Sequence, residues 1–158
     1  MDPANLIVSY LFFSILGGLL ATAAFSGLLY FFERTNITQG NMIVALGSLL
    51  THSRERAAQV GLIIHLVSGI FFGLIYTWAL MAIGAQSFGA VFLLGGMFGV
   101  LHGAVVAVGL VASISDFHPL PEYRKATWVV GFTHGLAHVV YGLVMGFNIA
   151  CSGLAKAG

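Results

Sequence analysis

Between Ala126 and Ala155 the chain carries no Asp, Glu, Lys or Arg. Three earlier stretches, 5–32, 60–82 and 88–114, are equally free of charge. Each is long enough to cross a hydrocarbon core of about 30 Å, which takes about 20 helical residues. In lipid the backbone must satisfy its own hydrogen bonds, and these runs are too long for barrel strands, so each predicts a membrane helix. Composition agrees: 7% of residues are charged and 59% hydrophobic, against about 25% charged in a soluble domain. Such a chain cannot cover a water-facing surface. The expected fold is all-α: one integral membrane four-helix bundle over residues 1–158, with helices at 5–32, 60–82, 88–114 and 127–150.

The connections refine this picture. Residues 33–59 open on Glu-Arg-Thr-Asn and end Thr-His-Ser-Arg-Glu-Arg. Their apolar middle, Asn41 to Leu50, is too short to span. It predicts a short interfacial or re-entrant helix with Met42, Ile43, Leu46, Leu49 and Leu50 on its apolar face. The short neutral connection near Gly84–Gly89 predicts an antiparallel hairpin of the second and third spans. In 115–126, Pro119 and Pro121 break the helix and hold a polar turn.

Five of the six basic residues, Arg34, Arg54, Arg56, Arg124 and Lys125, fall on the side of the first and third connections. Only Lys156 lies opposite. The positive-inside rule puts the five in the cytoplasm and both termini outside, in a bacterial inner membrane. The opening Met-Asp-Pro-Ala-Asn lacks a basic n-region, and the apolar run Leu6–Phe32 exceeds the roughly 7–15 residues of a signal peptide's core, so it reads as the first span. A net charge of +1 without a basic cluster gives nucleic acid no surface. The single cysteine, Cys151, excludes an internal disulfide and reads as a small apolar residue near a helix end.

The chemistry lies in the histidines. Six occur: His52, His65, His102, His118, His134 and His138. His134 and His138 stand one helical turn apart on one face. Depth counting at about 1.5 Å per residue puts His102 and His138 level near the midplane, and His65 and His134 level nearer the cytoplasm. Gly61, Gly69, Phe72 and Tyr76 lie within about 40° of His65 on its helix. Gly131, Gly135, Gly142 and Gly146 run beside the His134–His138 stripe, and Gly95-x3-Gly99-x3-Gly103 marks a packing track. Glycine-rich faces are where membrane helices meet, so each intramembrane histidine should point into a helix seam. Tyr141 falls on the same face as His134. It and the other aromatics, Phe71, Phe72, Tyr76, Trp78 and Trp128, read as lipid-facing or belt residues.

Neutral imidazole is the commonest transition-metal ligand. The group His102, His138, His134 and His65 could hold Zn, Cu, Fe or Ni, or ligate haem, with Tyr141 beside it. His118 and Glu122, at the cytoplasmic mouth, could form an entry site or support the ligands. No catalytic constellation is legible: Ser113 and Ser115 lack a buried carboxylate to orient a base, and no phosphate loop is present.

The ordered motifs Leu46-Gly47-Ser48, Ile64-His65-Leu66, Leu101-His102-Gly103, His118-Pro119 and Ala137-His138-Val139-Val140-Tyr141-Gly142 resemble those of a group of small bacterial four-helix membrane proteins without assigned activity. The likeness covers residues 40–147. It implies fold and topology and brings no activity. Two features depart from the pattern: Leu120 follows His-Pro where Arg is usual, and His134 is extra.

The functional expectation is a membrane protein that binds a transition metal or haem through intramembrane histidines, as an accessory subunit of a larger membrane complex or as a homo-oligomer. The alternatives are a transporter or channel for a metal cation or proton, entering at His118 and Glu122, and a structural subunit whose histidines only pack.

Overall fold

A computed structural model describes residues 2–38, 41–124 and 128–156, and for 110–116 the backbone alone. Lys125 and the side chains of Ser113, Ser115 and Asp116 therefore lie outside the described residues. Among the described residues five α-helices run in order: α1 (Pro3–Arg34), α2 (Met42–Thr51), α3 (Ala57–Ile83), α4 (Phe88–Phe117) and α5 (Trp128–Ser152). Four of them, all but α2, are long and apolar enough to cross a membrane. The expected all-α membrane bundle is the fold observed, each long helix matching its predicted span within three residues at either end.

Helix ends follow local chemistry. Pro3 opens α1, where a missing N–H costs nothing. Asn41 caps α2, its Oδ1 accepting from the N–H groups of Ile43 and Val44 at 3.0 and 3.1 Å. Gly84 ends α3 with φ +66°, a conformation glycine adopts freely. His118 ends α4 in extended geometry immediately before Pro119.

Packing is organised by glycines. Along α4–α5, a Cβ on Gly99 would stand 2.5 Å from the His138 carbonyl oxygen, and one on Gly103 would stand 2.7 Å from that of Gly135. On α1–α3, a Cβ on Gly18 would stand 2.5 Å from the Gly69 carbonyl oxygen. On α2–α3, Gly47 faces Ala57 and Gly61 faces Ile43, backbone against backbone. Small residues let these helices approach until their main chains touch. The outer faces carry Ile7, Phe12, Leu93, Val105 and Trp128, large and exposed, as a lipid-contacting surface requires.

Two expectations need correction. The hairpin of the second and third spans is one in connectivity only. α4 packs along α5, and α3 packs on α1 and α2, so the α3 and α4 backbones approach little and the two helices meet through long side chains, Phe72 and Tyr76 against His102. The glycine track of α4 pulls it to α5, and α3 spends its own glycines on α1 and α2. Second, Phe71, Trp78 and Trp128 do face outward, but Tyr76 and Tyr141 are buried, 4% and 5% exposed, and Phe72 packs on His102. Phase on α3 already placed Phe72 and Tyr76 beside His65, and that phase prevails over aromatic belt preference.

Candidate functional site

The weak α3–α4 contact leaves a cavity of about 430 Å³ inside the bundle. Its walls include His65 and Phe72 from α3, His102 from α4, His134, His138 and Tyr141 from α5, and Phe25 and Thr22 from α1. Met42, Leu46 and Leu49 of α2 close one end. The expected gathering of intramembrane histidines at helix seams is what the structure shows.

The rings contact one another. His102 and His138 meet edge to face with centroids 4.4 Å apart, and His134 and His138 lie 5.1 Å apart. Phe25 touches three imidazoles: its ring centroid lies 5.3 Å from His65, 5.1 Å from His134 and 4.8 Å from His138. Phe72 covers His102 at 4.1 Å. The Tyr76 hydroxyl lies 3.4 Å from Nδ1 of His102, a long hydrogen bond.

Polar groups in the walls are mostly engaged. Tyr141 donates from its hydroxyl to the Gly69 carbonyl at 2.6 Å, tying α5 to α3. Thr22 donates to the Gly18 carbonyl within α1. Nδ1 of His138 lies 2.9 Å from the His134 carbonyl oxygen. A carbonyl only accepts, so Nδ1 carries the proton and Nε2 of the neutral ring carries the lone pair. The His134 side chain is 6% exposed, and its Nδ1 has no partner among the described residues. Also among the described residues, no three His, Cys, Asp or Glu side chains converge as a metal site.

No family model, curated protein or solved structure matches the chain. Its own geometry carries the functional reading.

His118 and Glu122 are not part of the cavity wall. His118 is fully buried at the turn after α4. Its Nδ1 accepts from the Leu120 N–H at 3.1 Å, and its Nε2–H donates to the Ala45 carbonyl of α2 at 3.0 Å. Both ring nitrogens are thus spent on backbone, and the residue latches the α4–α5 connection onto α2. Arg124 adds a bond from its Nε to the His118 carbonyl at 2.7 Å. Glu122 pairs with Arg54 on the surface, joining the first and third connections. Its carboxyl is held below the usual carboxylate range by its own backbone N–H first and the Arg54 guanidinium second. His52 ends α2 with φ +52° and is exposed.

Phe25 is the residue that sequence reasoning missed. Nothing in its own stretch, Ala23-Ala24-Phe25-Ser26, distinguishes it from other lipid-facing aromatics. Its helical phase with Gly18, Ala21 and Thr22, all buried, was the available signal.

Proposed function

We propose that this is a multi-pass membrane protein that binds a small group in its intramembrane cavity through imidazole nitrogens, those of His102 and His138 foremost. The observation that carries this reading is the convergence of four imidazoles from three helices on one cavity of about 430 Å³, a size typical of small-molecule sites. Ionisable residues inside a membrane are costly and tend to mark function. The chain invests four of them in a single wall.

The donor set favours an occupant that asks for one or two imidazole contacts over a bare ion, which takes three or four protein donors. Haem, whose iron needs only axial ligands from the protein, is among such occupants. A cation or proton path from the connections draws less support, since His118 and Glu122 are committed to Ala45, Leu120 and Arg54.

Membership of a larger membrane complex belongs to the same proposal, because no further helix among the described residues closes the α3–α4 side of the cavity. So does the relation to small bacterial four-helix membrane proteins: the motifs that carry the likeness supply His65, His102, His138 and Tyr141 to the wall. The charge asymmetry supports an inner-membrane orientation with Arg34, Arg54 and Arg124 in the cytoplasm and both termini outside.

Purification from the native membrane in mild detergent tests the reading. An absorption spectrum, elemental analysis and mass spectrometry of an organic extract, all on one sample, should reveal about one bound group per chain. That group should be depleted in His102→Ala and His138→Ala. A colourless, metal-free preparation with only bulk lipid in the extract would refute it.

A further inference from the structure

We propose that the cavity binds the uncharged hydroxy-aromatic headgroup of a membrane quinol, a quinol O–H donating to Nε2 of His138. This rests on the cavity-binding reading above and names the ligand class of that site.

The wall of the cavity decides the charge of its occupant. Among the described residues, no Asp, Glu, Lys or Arg lines it. A ligand with carboxylates or phosphates would lie in the cavity without a counter-charge, and an unpaired buried ion is strongly disfavoured. The ligand is therefore neutral, which counts against haem with its paired carboxylates. The absence of a three-donor set among the described residues counts against a bare metal ion.

The wall also decides the ligand's polarity. The His138 Nδ1–H is spent on the His134 carbonyl at 2.9 Å. That bond fixes the tautomer, so the nitrogen left over, Nε2, is an acceptor and calls for a donor. A quinol hydroxyl supplies one; a fully oxidised quinone, which has only carbonyls, does not.

Shape points the same way. Phe25 sits within 5.3 Å of three imidazoles, and Phe72 lies 4.1 Å from His102, so a flat ring entering the cavity meets aromatic edges and faces. The loosely packed α3–α4 side, where His102 and Phe72 are partly exposed, faces the lipid-contacting surface. A headgroup can enter there sideways while its apolar tail stays in the bilayer. The proposal is of binding alone and includes no electron transfer.

The test uses the full-length protein in detergent, kept anaerobic, with decylubiquinol, its dimethyl ether and decylubiquinone titrated by calorimetry. Quinol should bind at least tenfold tighter than the ether or the quinone. His138→Phe, which keeps a flat ring and removes the nitrogen, should lower quinol affinity to that of the ether. Equal affinity for quinol and ether in the wild-type protein would overturn the proposal, and that comparison needs no variant to fold. Failure of the wild-type protein to bind quinol would overturn it too. In that case haem or metal in the native preparation would leave the cavity-binding reading standing, while an empty native preparation would sink both.

Discussion

Gly99 of α4 lies against the backbone of His138, so close that a Cβ on it would stand 2.5 Å from the His138 carbonyl oxygen and 2.8 Å from Cα of Val139. This contact brings the rings of His102 and His138 to 4.4 Å. The glycine track and the histidine pair are one device: the first sets the spacing of α4 and α5, and the second uses it.

Gly99→Ala should therefore destabilise the bundle by about 1–3 kcal/mol, because backbone atoms on α5 cannot turn aside as a side chain could. Gly27→Ala is the matched control. A Cβ there meets nothing within 4 Å, and replacing a helical glycine should be neutral or add about 0.5–1 kcal/mol. Thermal unfolding in detergent followed by circular dichroism distinguishes the two.

Tyr141→Phe removes the 2.6 Å bond to the Gly69 carbonyl and keeps the ring. The expected loss is about 1 kcal/mol, the scale of an interhelical hydrogen bond in a membrane protein. Unfolding in detergent with increasing denaturant measures it. A loss near zero would mean that the Gly69 carbonyl finds another donor.

The span positions were legible because absence of charge over twenty residues admits almost no other reading. So was the inward aim of the histidines, since His65, His102, His134 and His138 share helical phase with glycines. Pairing of the helices was harder. Three helices carry glycine tracks, and nothing in one dimension says which track meets which, so the short Gly84–Gly89 connection suggested a close hairpin that the packing of α4 on α5 replaces. The role of His118 was also out of reach. Its partners, Ala45 and Leu120, are recruited through backbone atoms, and any residue type offers those.

His118→Ala should cost about 1 kcal/mol by removing the Nε2–H bond to the Ala45 carbonyl, which still accepts from the Ser48 hydroxyl. The α2 amides should then exchange hydrogen faster than those of α3, because the latch holds α2 to the α4–α5 connection. Hydrogen exchange with mass spectrometry reads this directly. Uniform protection across α2 and α3 would argue against the latch.

The Arg54–Glu122 pair gives a pH signature. The Glu122 carboxyl is depressed in the folded protein, so its contribution is present above the ordinary carboxylate pKa and is lost as pH falls through the lower, folded value. Both side chains are on the surface, so overall stability should change little. What should change is protection in the first and third connections, meaning the slowing of exchange relative to the intrinsic rate at each pH: it should be lower at acid pH, and Glu122→Gln should lower it to the same extent at neutral pH. Protection independent of pH across that range would mean that the pair does not hold the connections together.

Whether the histidine-walled cavity holds a bound group can be read from native mass spectrometry of the chain, released from its own membrane in mild detergent. The expected spectrum shows one discrete added mass per chain, absent from a folded His138→Phe variant. A spectrum of the bare chain with only a ladder of bulk lipids, identical in both proteins, would mean that the cavity holds no ligand and that the histidines are packing groups.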